Sequence, residues 1–185
     1  TIVYDTALNT CMEMIDKLRD TAQSHDRCSV VEVMGRRAGY LALNVGIACG
    51  ATSIIVPEIP FDFEKDIIER MFATSATGKK HFIIIVAEGV GHVIEMSEKI
   101  QARTGIETRA TILGHVQRGG SPSLRDRVLA SEMGYHAVLL LLDGKSNRVV
   151  TIQNDHILDY DIEEALQMKK PFDFELYRMA HEISI

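Results

Sequence analysis

The stretch HFIIIVAEG, His81 to Gly89, decides the fold. It is nearly all apolar and rich in β-branched residues, the pattern of a strand covered on both faces. Working outward, CSVVEV (Cys28 to Val33) and TRATILG (Thr108 to Gly114) read as further strands, and so does SIIVP (Ser53 to Pro57). Helical periods fall between them. Leu8, Cys11, Met12, Ile15 and Leu18 recur at three- and four-residue steps, predicting a helix over about 6–21. GYLALNVGIACG predicts a second helix with Gly50 as its stop, and Asp62 caps a third that carries Phe63, Ile67, Ile68, Met71 and Phe72 on one face. A fourth runs over about 93–103. Strand and helix thus alternate, which is the signature of βαβ units. The fold class is α/β: a parallel sheet with helices on both faces, a three-layer α/β/α arrangement.

After Gly119 and Gly120 the pattern changes. A long helix is predicted over about 125–142, a strand at RVVTIQ (Arg148 to Gln153), and a helix over 161–169 stopped by Pro171. Periodicity leaves open whether this tail joins the same sheet.

Bulk properties narrow the function. The 185 residues can form one sizeable domain or a domain with an appendage, and 46% hydrophobic content supplies a core. A formal net charge of −6 argues against nucleic-acid or membrane-surface binding, which needs clustered excess base. Local basic groups must therefore serve something small. Cys11, Cys28 and Cys49 lack metal-ligand spacing and read as reduced, buried thiols, so no metal site and a cytoplasmic location are expected. The apolar run Ala137 to Leu142, which no other exceeds, is far too short to span a bilayer. The chain opens at Thr1 without a methionine and moves almost directly into a helix, which suggests a piece of something longer.

Open parallel sheets bind ligands beyond the carboxyl ends of their strands. Those ends are Met34-Gly35-Arg36, Pro57-Glu58, Glu88-Gly89, and Gly114-His115 with Arg118 just after. Arginine offers a planar fork for phosphate oxygens, histidine a further donor, and a carboxylate accepts from sugar hydroxyls. Gly35 and the Gly119-Gly120 pair let backbone amides approach a ligand. The set points to a phosphorylated sugar. Each member alone has a plainer reading: a solvated arginine, a structural histidine, a glutamate capping the next helix, a glycine turn. Arg27 precedes the first strand and Arg109 opens the fourth, so both sit at the opposite, amino end. They are either surface charge or part of a site on another subunit.

SVVEVMGR (Ser29 to Arg36), VAEG (Val86 to Gly89) and ETRATILGHVQRGGSP (Glu107 to Pro122) resemble the ATP-dependent 6-phosphofructokinases of bacterial type. RDTAQSHDR, IIVPE and the DR-x-LAS stretch (Asp126 to Ser131) fit as well, so the resemblance covers essentially the whole chain. It implies that Met34, Gly35 and Arg36 contact fructose 6-phosphate, with Arg36 also near the transferring phosphoryl group. It implies that Glu88 binds sugar hydroxyls, and that His115 and Arg118, with Val116 and Gln117 between them, hold the 6-phosphate. Arg27 and Arg109 match arginines that reach a neighbouring subunit's substrate. An effector site for ADP or phosphoenolpyruvate matches Arg19, Gly50, Ala51, Thr52, Thr77, Lys79, Lys80 and His81. Thr52 stands where a metal-binding carboxylate is common and Thr77 where a lysine is, which puts effector binding in doubt.

The resemblance further implies a homotetramer when intact, with a dimer or more for this part. Residues 1–117 and about 170–185 would form the fructose 6-phosphate-binding domain, and about 118–169 would pack on a nucleotide-binding domain. The glycine-rich ATP and Mg²⁺ half and the catalytic base match nothing here, so the chain reads as a C-terminal portion, inactive by itself. Asp5 is not that base. The alternatives are a pyrophosphate-dependent relative and a non-catalytic sugar-phosphate-binding module.

Overall fold

The computed structural model describes residues 2–22 and 27–184. In chain order the elements are α1 (Tyr4–Ala22), β1 (Arg27–Val33), α2 (Tyr40–Ala48), β2 (Ser53–Ile55), a π-helical turn (Glu64–Glu69), α3 (Arg70–Ala76), β3 (His81–Ala87), α4 (Val93–Thr104) and β4 (Glu107–Ile112). A 3₁₀ helix (Gly114–Arg118), α5 (Leu124–Leu142), β5 (Arg148–Gln153), β6 (His156–Asp161), α6 (Ile162–Gln167) and α7 (Phe174–Ile183) follow. By internal contacts the chain divides into two compact units, residues 7–119 with 172–185, and residues 1–6 with 120–171.

The larger unit holds a four-stranded, all-parallel sheet in the order β2-β3-β1-β4. Strand alternation sorts its side chains between two cores. Val31, Val33, Ile83, Ile85 and Ala87 face α1, α2 and α7. Cys28, Val30, Phe82, Ile84 and Val86 face Ile67, Ile68 and Met71 on one neighbour and Val93, Met96 and Ile100 on the other. Each fully buried Val or Ile contributes roughly 1.5–3 kcal/mol, and after its half-buried first residue, His81, β3 is apolar from Phe82 to Ala87. This is the expected three-layer α/β/α fold.

Local chemistry sets the element ends. Gly50 (φ 58) closes α2 in a Schellman turn, with Gly50 N–H donating to Ile47 O at 3.1 Å and Ala51 N–H to Gly46 O at 2.8 Å. Asp62 does cap the next helix, accepting from Lys65 N–H at 2.9 Å, but that helix opens with the π turn. Ile67, Ile68 and Met71 of the expected apolar face are buried, but Phe72 is 50% exposed. TRATILG ends as a strand at Ile112, because Gly114 (φ 54) turns the chain into the 3₁₀ helix.

In the smaller unit, β5 and β6 form a separate antiparallel hairpin, so the tail does not extend the parallel sheet. Strand β6, absent from the sequence reading, pairs through a two-residue turn in which Asn154 (φ 50) and Asp155 (φ 61) both take the left-handed conformation. Helix α5 packs on this hairpin, where Asp159 accepts from Arg148 and meets His136. Leu140 is buried, but Leu141 and Leu142 are 70% and 78% exposed. Asp126, 2% exposed, accepts from Val3 N–H at 3.0 Å, Thr6 N–H at 2.8 Å and the Thr6 hydroxyl, closing the first turn of α1.

Candidate functional site

Strand register builds one rim. β1 pairs Val33 with Ala87 of β3, so the chain leaves the sheet at the same level at Met34 and at Glu88. On the other side β4 pairs Ile112 with Glu32, and Leu113 N–H donates to Glu32 O at 3.2 Å before the 3₁₀ helix starts. The loop Met34–Gly39 is held by acceptors from neighbouring strand ends. Glu88 Oε1 accepts the N–H groups of Gly35 (3.2 Å) and Arg36, and both oxygens of Glu58 lie on Gly39 N–H at 2.9 and 3.1 Å. Packing here admits no side chain: a Cβ on Gly35 would lie 2.3 Å from Ala38 O, and one on Gly89 2.4 Å from Arg36 O. Arg36 itself is left-handed (φ 54), a conformation costing roughly 1–2 kcal/mol that its bond to Glu88 helps to hold.

The 3₁₀ helix presents His115, Val116 and Arg118 to solvent and buries Gln117. Gln117 Oε1 accepts from Met34 N–H at 3.2 Å and from the Cys11 thiol at 2.9 Å, while Nε2 donates to Gly114 O at 2.9 Å. Burial, and then the neighbouring Cys49, push the Cys11 thiol up to about 12, so it stays protonated and donating. Arg36 is exposed too. Among the described residues the side chains of Arg36, His115 and Arg118 have neither a hydrogen-bond nor an ion-pair partner. Glu32, below this rim, is pushed up by burial and then by the charge of Glu88. The structure thus brings Met34, Gly35, Arg36, Glu88, His115, Val116 and Arg118 to one end of the sheet, with donors available to an anion. Both bonds from the loop go to Glu88 Oε1, leaving Oε2 as an acceptor for hydroxyls.

The amino end of the sheet holds the other predicted residues. Arg27 donates to Glu107 Oε2 and Arg109 to Glu107 Oε1, both at 2.9 Å, and these bonds hold Glu107 below the usual carboxylate range. One carboxylate, missed in the sequence, therefore orients both arginines. Nearby a cavity of about 410 Å³ is lined by Arg19, Cys49, Gly50, Lys79 and His81 among others. Burial, then Arg19, depresses Lys79, and burial, then Lys79 and Arg19, depresses His81, so the two cations disfavour a third charge on the imidazole. Four members of the expected effector set lie apart from the lining. Thr52 and Ala51 are buried, and Thr77 and Lys80 are exposed elsewhere, Thr77 bonding its own helix at Thr74 O. Among the described residues Thr52 Oγ1 has no hydrogen-bond partner.

Residues 1–141 match the family model for phosphofructokinase. The chain is 54% identical over its whole length to an ATP-dependent 6-phosphofructokinase of Bacillus cytotoxicus and 56% identical to one of Brevibacillus brevis, spanning 58% of each. Over 184 residues it is 55% identical to ATP-dependent 6-phosphofructokinase 1 of Clostridium perfringens, covering 57% of it. Among solved structures, phosphofructokinase from Saccharomyces cerevisiae superposes with a TM-score of 0.83 at 32% identity, over 90% of this chain and 24% of that one. A pyrophosphate-dependent phosphofructokinase from Marinobacter aquaeolei shares the fold with a TM-score of 0.75 at 22% identity, over 92% of this chain and 48% of its own. The chain spans a little over half the length of these curated relatives. With the motif-bearing rim, the three-layer sheet and these matches in agreement, the chain belongs to the phosphofructokinase family.

Proposed function

We propose that the chain forms the sugar-phosphate-binding portion of a cytoplasmic, glycolytic ATP-dependent 6-phosphofructokinase, which transfers a phosphoryl group from ATP to the 1-hydroxyl of fructose 6-phosphate, giving fructose 1,6-bisphosphate. The observation that carries this reading is the set of partnerless donors Arg36, His115 and Arg118 at the same sheet end as Glu88. His115 and Arg118 grip the 6-phosphate, and Glu88 Oε2 accepts from sugar hydroxyls. Arg36 lies toward the transferring group and offsets its developing charge. Met34, Gly35 and Val116 line the same rim. Arg27 and Arg109, held ready by Glu107, serve a neighbouring subunit in a tetramer of the full-length enzyme. The Arg19–Lys79–His81 cavity takes an anionic effector, ADP or phosphoenolpyruvate, with Gly50 alongside and without Ala51, Thr52, Thr77 or Lys80 of the same chain.

Among the described residues no cluster of three His, Cys, Asp or Glu side chains is placed to hold a metal ion. These residues do not fit Mg²⁺. We assign it and ATP, with the catalytic base, to the stretch of the longer relatives outside the matched residues. The C-terminal placement of this chain rests on the motif resemblance. ATP is favoured over pyrophosphate as donor because the relatives at 54–56% identity are named ATP-dependent.

Calorimetric titration of fructose 6-phosphate into the 185-residue chain should show weak binding, and a coupled assay no ATP-dependent turnover. In the full-length enzyme, Arg118→Ala removes a charge-assisted phosphate contact of roughly 1.5–3 kcal/mol, raising the fructose 6-phosphate KM about tenfold to a hundredfold with the ATP KM unchanged. Saturation curves that overlay the parent would overturn the assignment.

A further inference from the structure

Gln117 lies in sequence between the two phosphate-gripping donors, yet it is 1% exposed. Its amide joins three segments: Cys11 of α1, Met34 of the loop after β1, and Gly114 at the start of the 3₁₀ helix. Two donors face Oε1 and one acceptor faces Nε2, so only one orientation of the amide satisfies all three. For Gln117 to contact a ligand it would have to abandon Met34 N–H, the Cys11 thiol and Gly114 O, leaving them unpaired inside the protein. Met34 leads directly into Gly35 and Arg36, while Gly114 leads into His115.

We propose that Gln117 and Cys11 are a positioning pair, which sets the 3₁₀ helix carrying His115 and Arg118 against the loop carrying Arg36, and that neither touches the sugar phosphate. The proposal rests on the substrate reading above. Gln117 bridges the two halves of the grip, and the Cys11 thiol, 0% exposed, anchors that bridge to the core from α1. A fixed separation between the donors matters because a phosphorylated sugar meets both ends of the grip at once, and misplacement on the order of 1 Å costs much of the binding.

The test uses the full-length enzyme. Gln117→Glu sets an oxygen against Gly114 O, and Gln117→Leu removes the bridge. Both should raise the fructose 6-phosphate KM about tenfold while the ATP KM stays at the parent value. Cys11→Val, which fills the site but donates nothing, should raise it about threefold to tenfold, and Cys11→Ser, whose hydroxyl still donates, should rescue it. Because the pair acts through the grip, Gln117→Leu combined with Arg118→Ala should be scarcely worse than Arg118→Ala alone. Additive losses in that double variant, or a Cys11→Val enzyme with parental KM, overturn the proposal. The Cys11 variants change few atoms and decide the matter even where a Gln117 variant fails to fold. If Arg118→Ala itself leaves the KM unmoved, the substrate reading falls and this proposal with it.

Discussion

Replacing Asp126 tests whether one buried carboxylate secures the start of α1. Its Oδ1 accepts from Val3 N–H, and its Oδ2 accepts from both Thr6 N–H and the Thr6 hydroxyl. The first N–H groups of a helix have no partner within it, so this side chain caps α1 from α5 and sets negative charge at its positive end. In Asp126→Asn one oxygen becomes an NH₂ group, which must face either Val3 N–H or the Thr6 pair. The amide loses at least one charge-assisted bond, worth about 1.5–3 kcal/mol, and weakens the others. Asp126→Ala removes the carboxylate altogether, for a loss of roughly 1–3 kcal/mol for each buried donor that it held. Burial pushes the Asp126 carboxyl up, but the bonds from Thr6, Val3 and Ser123 outweigh it and hold the group below its ordinary 3.8. A depressed carboxyl contributes its stability above the unfolded value and loses it as pH falls through the folded value. Urea unfolding of the chain, with hydrogen exchange at Val3 and Thr6, should therefore show the Asn variant less stable at neutral pH. The gap between parent and variant should close as pH drops from near 4 downward. A gap that is constant with pH, or absent at neutral pH, refutes the capping argument.

Two other expectations concern the rim and the subunit contact. In Gly39→Ala the backbone is unstrained (φ −89), but the new Cβ would lie 2.4 Å from Val56 Cγ1 and 2.8 Å from Glu58 Oε2, so overpacking should cost about 1–3 kcal/mol in thermal unfolding and raise the fructose 6-phosphate KM. Equal midpoints and KM values would show that Glu58 does not hold this loop. Enzyme carrying Arg27→Ala and Arg109→Ala together, mixed with Arg118→Ala enzyme under subunit exchange, should regain activity above either parent through hybrid interfaces. Hybrids confirmed by native mass spectrometry yet no more active than the parents would remove the shared-site assignment.

The layers were legible because β3 is buried on both faces, so its apolar run carries no competing signal, and β1 keeps Val30, Val31 and Val33 buried between polar positions. β6 was not, since HILDYD lies in a hairpin with exposed positions and polar residues interrupt its run. Its turn, Asn154-Asp155, was the cue that the sequence carried. The rim was legible as strand ends, because parallel topology places equivalent ends together. Its supports were not. Glu58 on Gly39, Gln117 on Cys11 and Glu107 on Arg27 join residues 19, 106 and 80 positions apart, and only the folded register reveals such pairs. For the same reason Thr52, two positions from cavity residue Gly50, is buried away from the cavity lining.

Because every strand of the sheet points the same way, its two ends are held apart by a full strand length. β3 runs seven residues from His81, beside the cation cavity, to Ala87, next to Glu88, a span of roughly 20 Å. At that range two unit charges in water interact by only about 0.2 kcal/mol, and physiological salt screens beyond about 8 Å. Even at the effective dielectric of a protein interior the figure stays below about 1 kcal/mol, so the field of an anion in the cavity acts only weakly on the rim. Displacement of parts that touch both ends is the stronger coupling. α1 is one such part: Arg19 lines the cavity and donates to Cys49 O, and two turns earlier Cys11 holds Gln117 under the rim. A shift of α1 along its axis would pull at one end on the Cys49 carbonyl and at the other on the amide of Gln117.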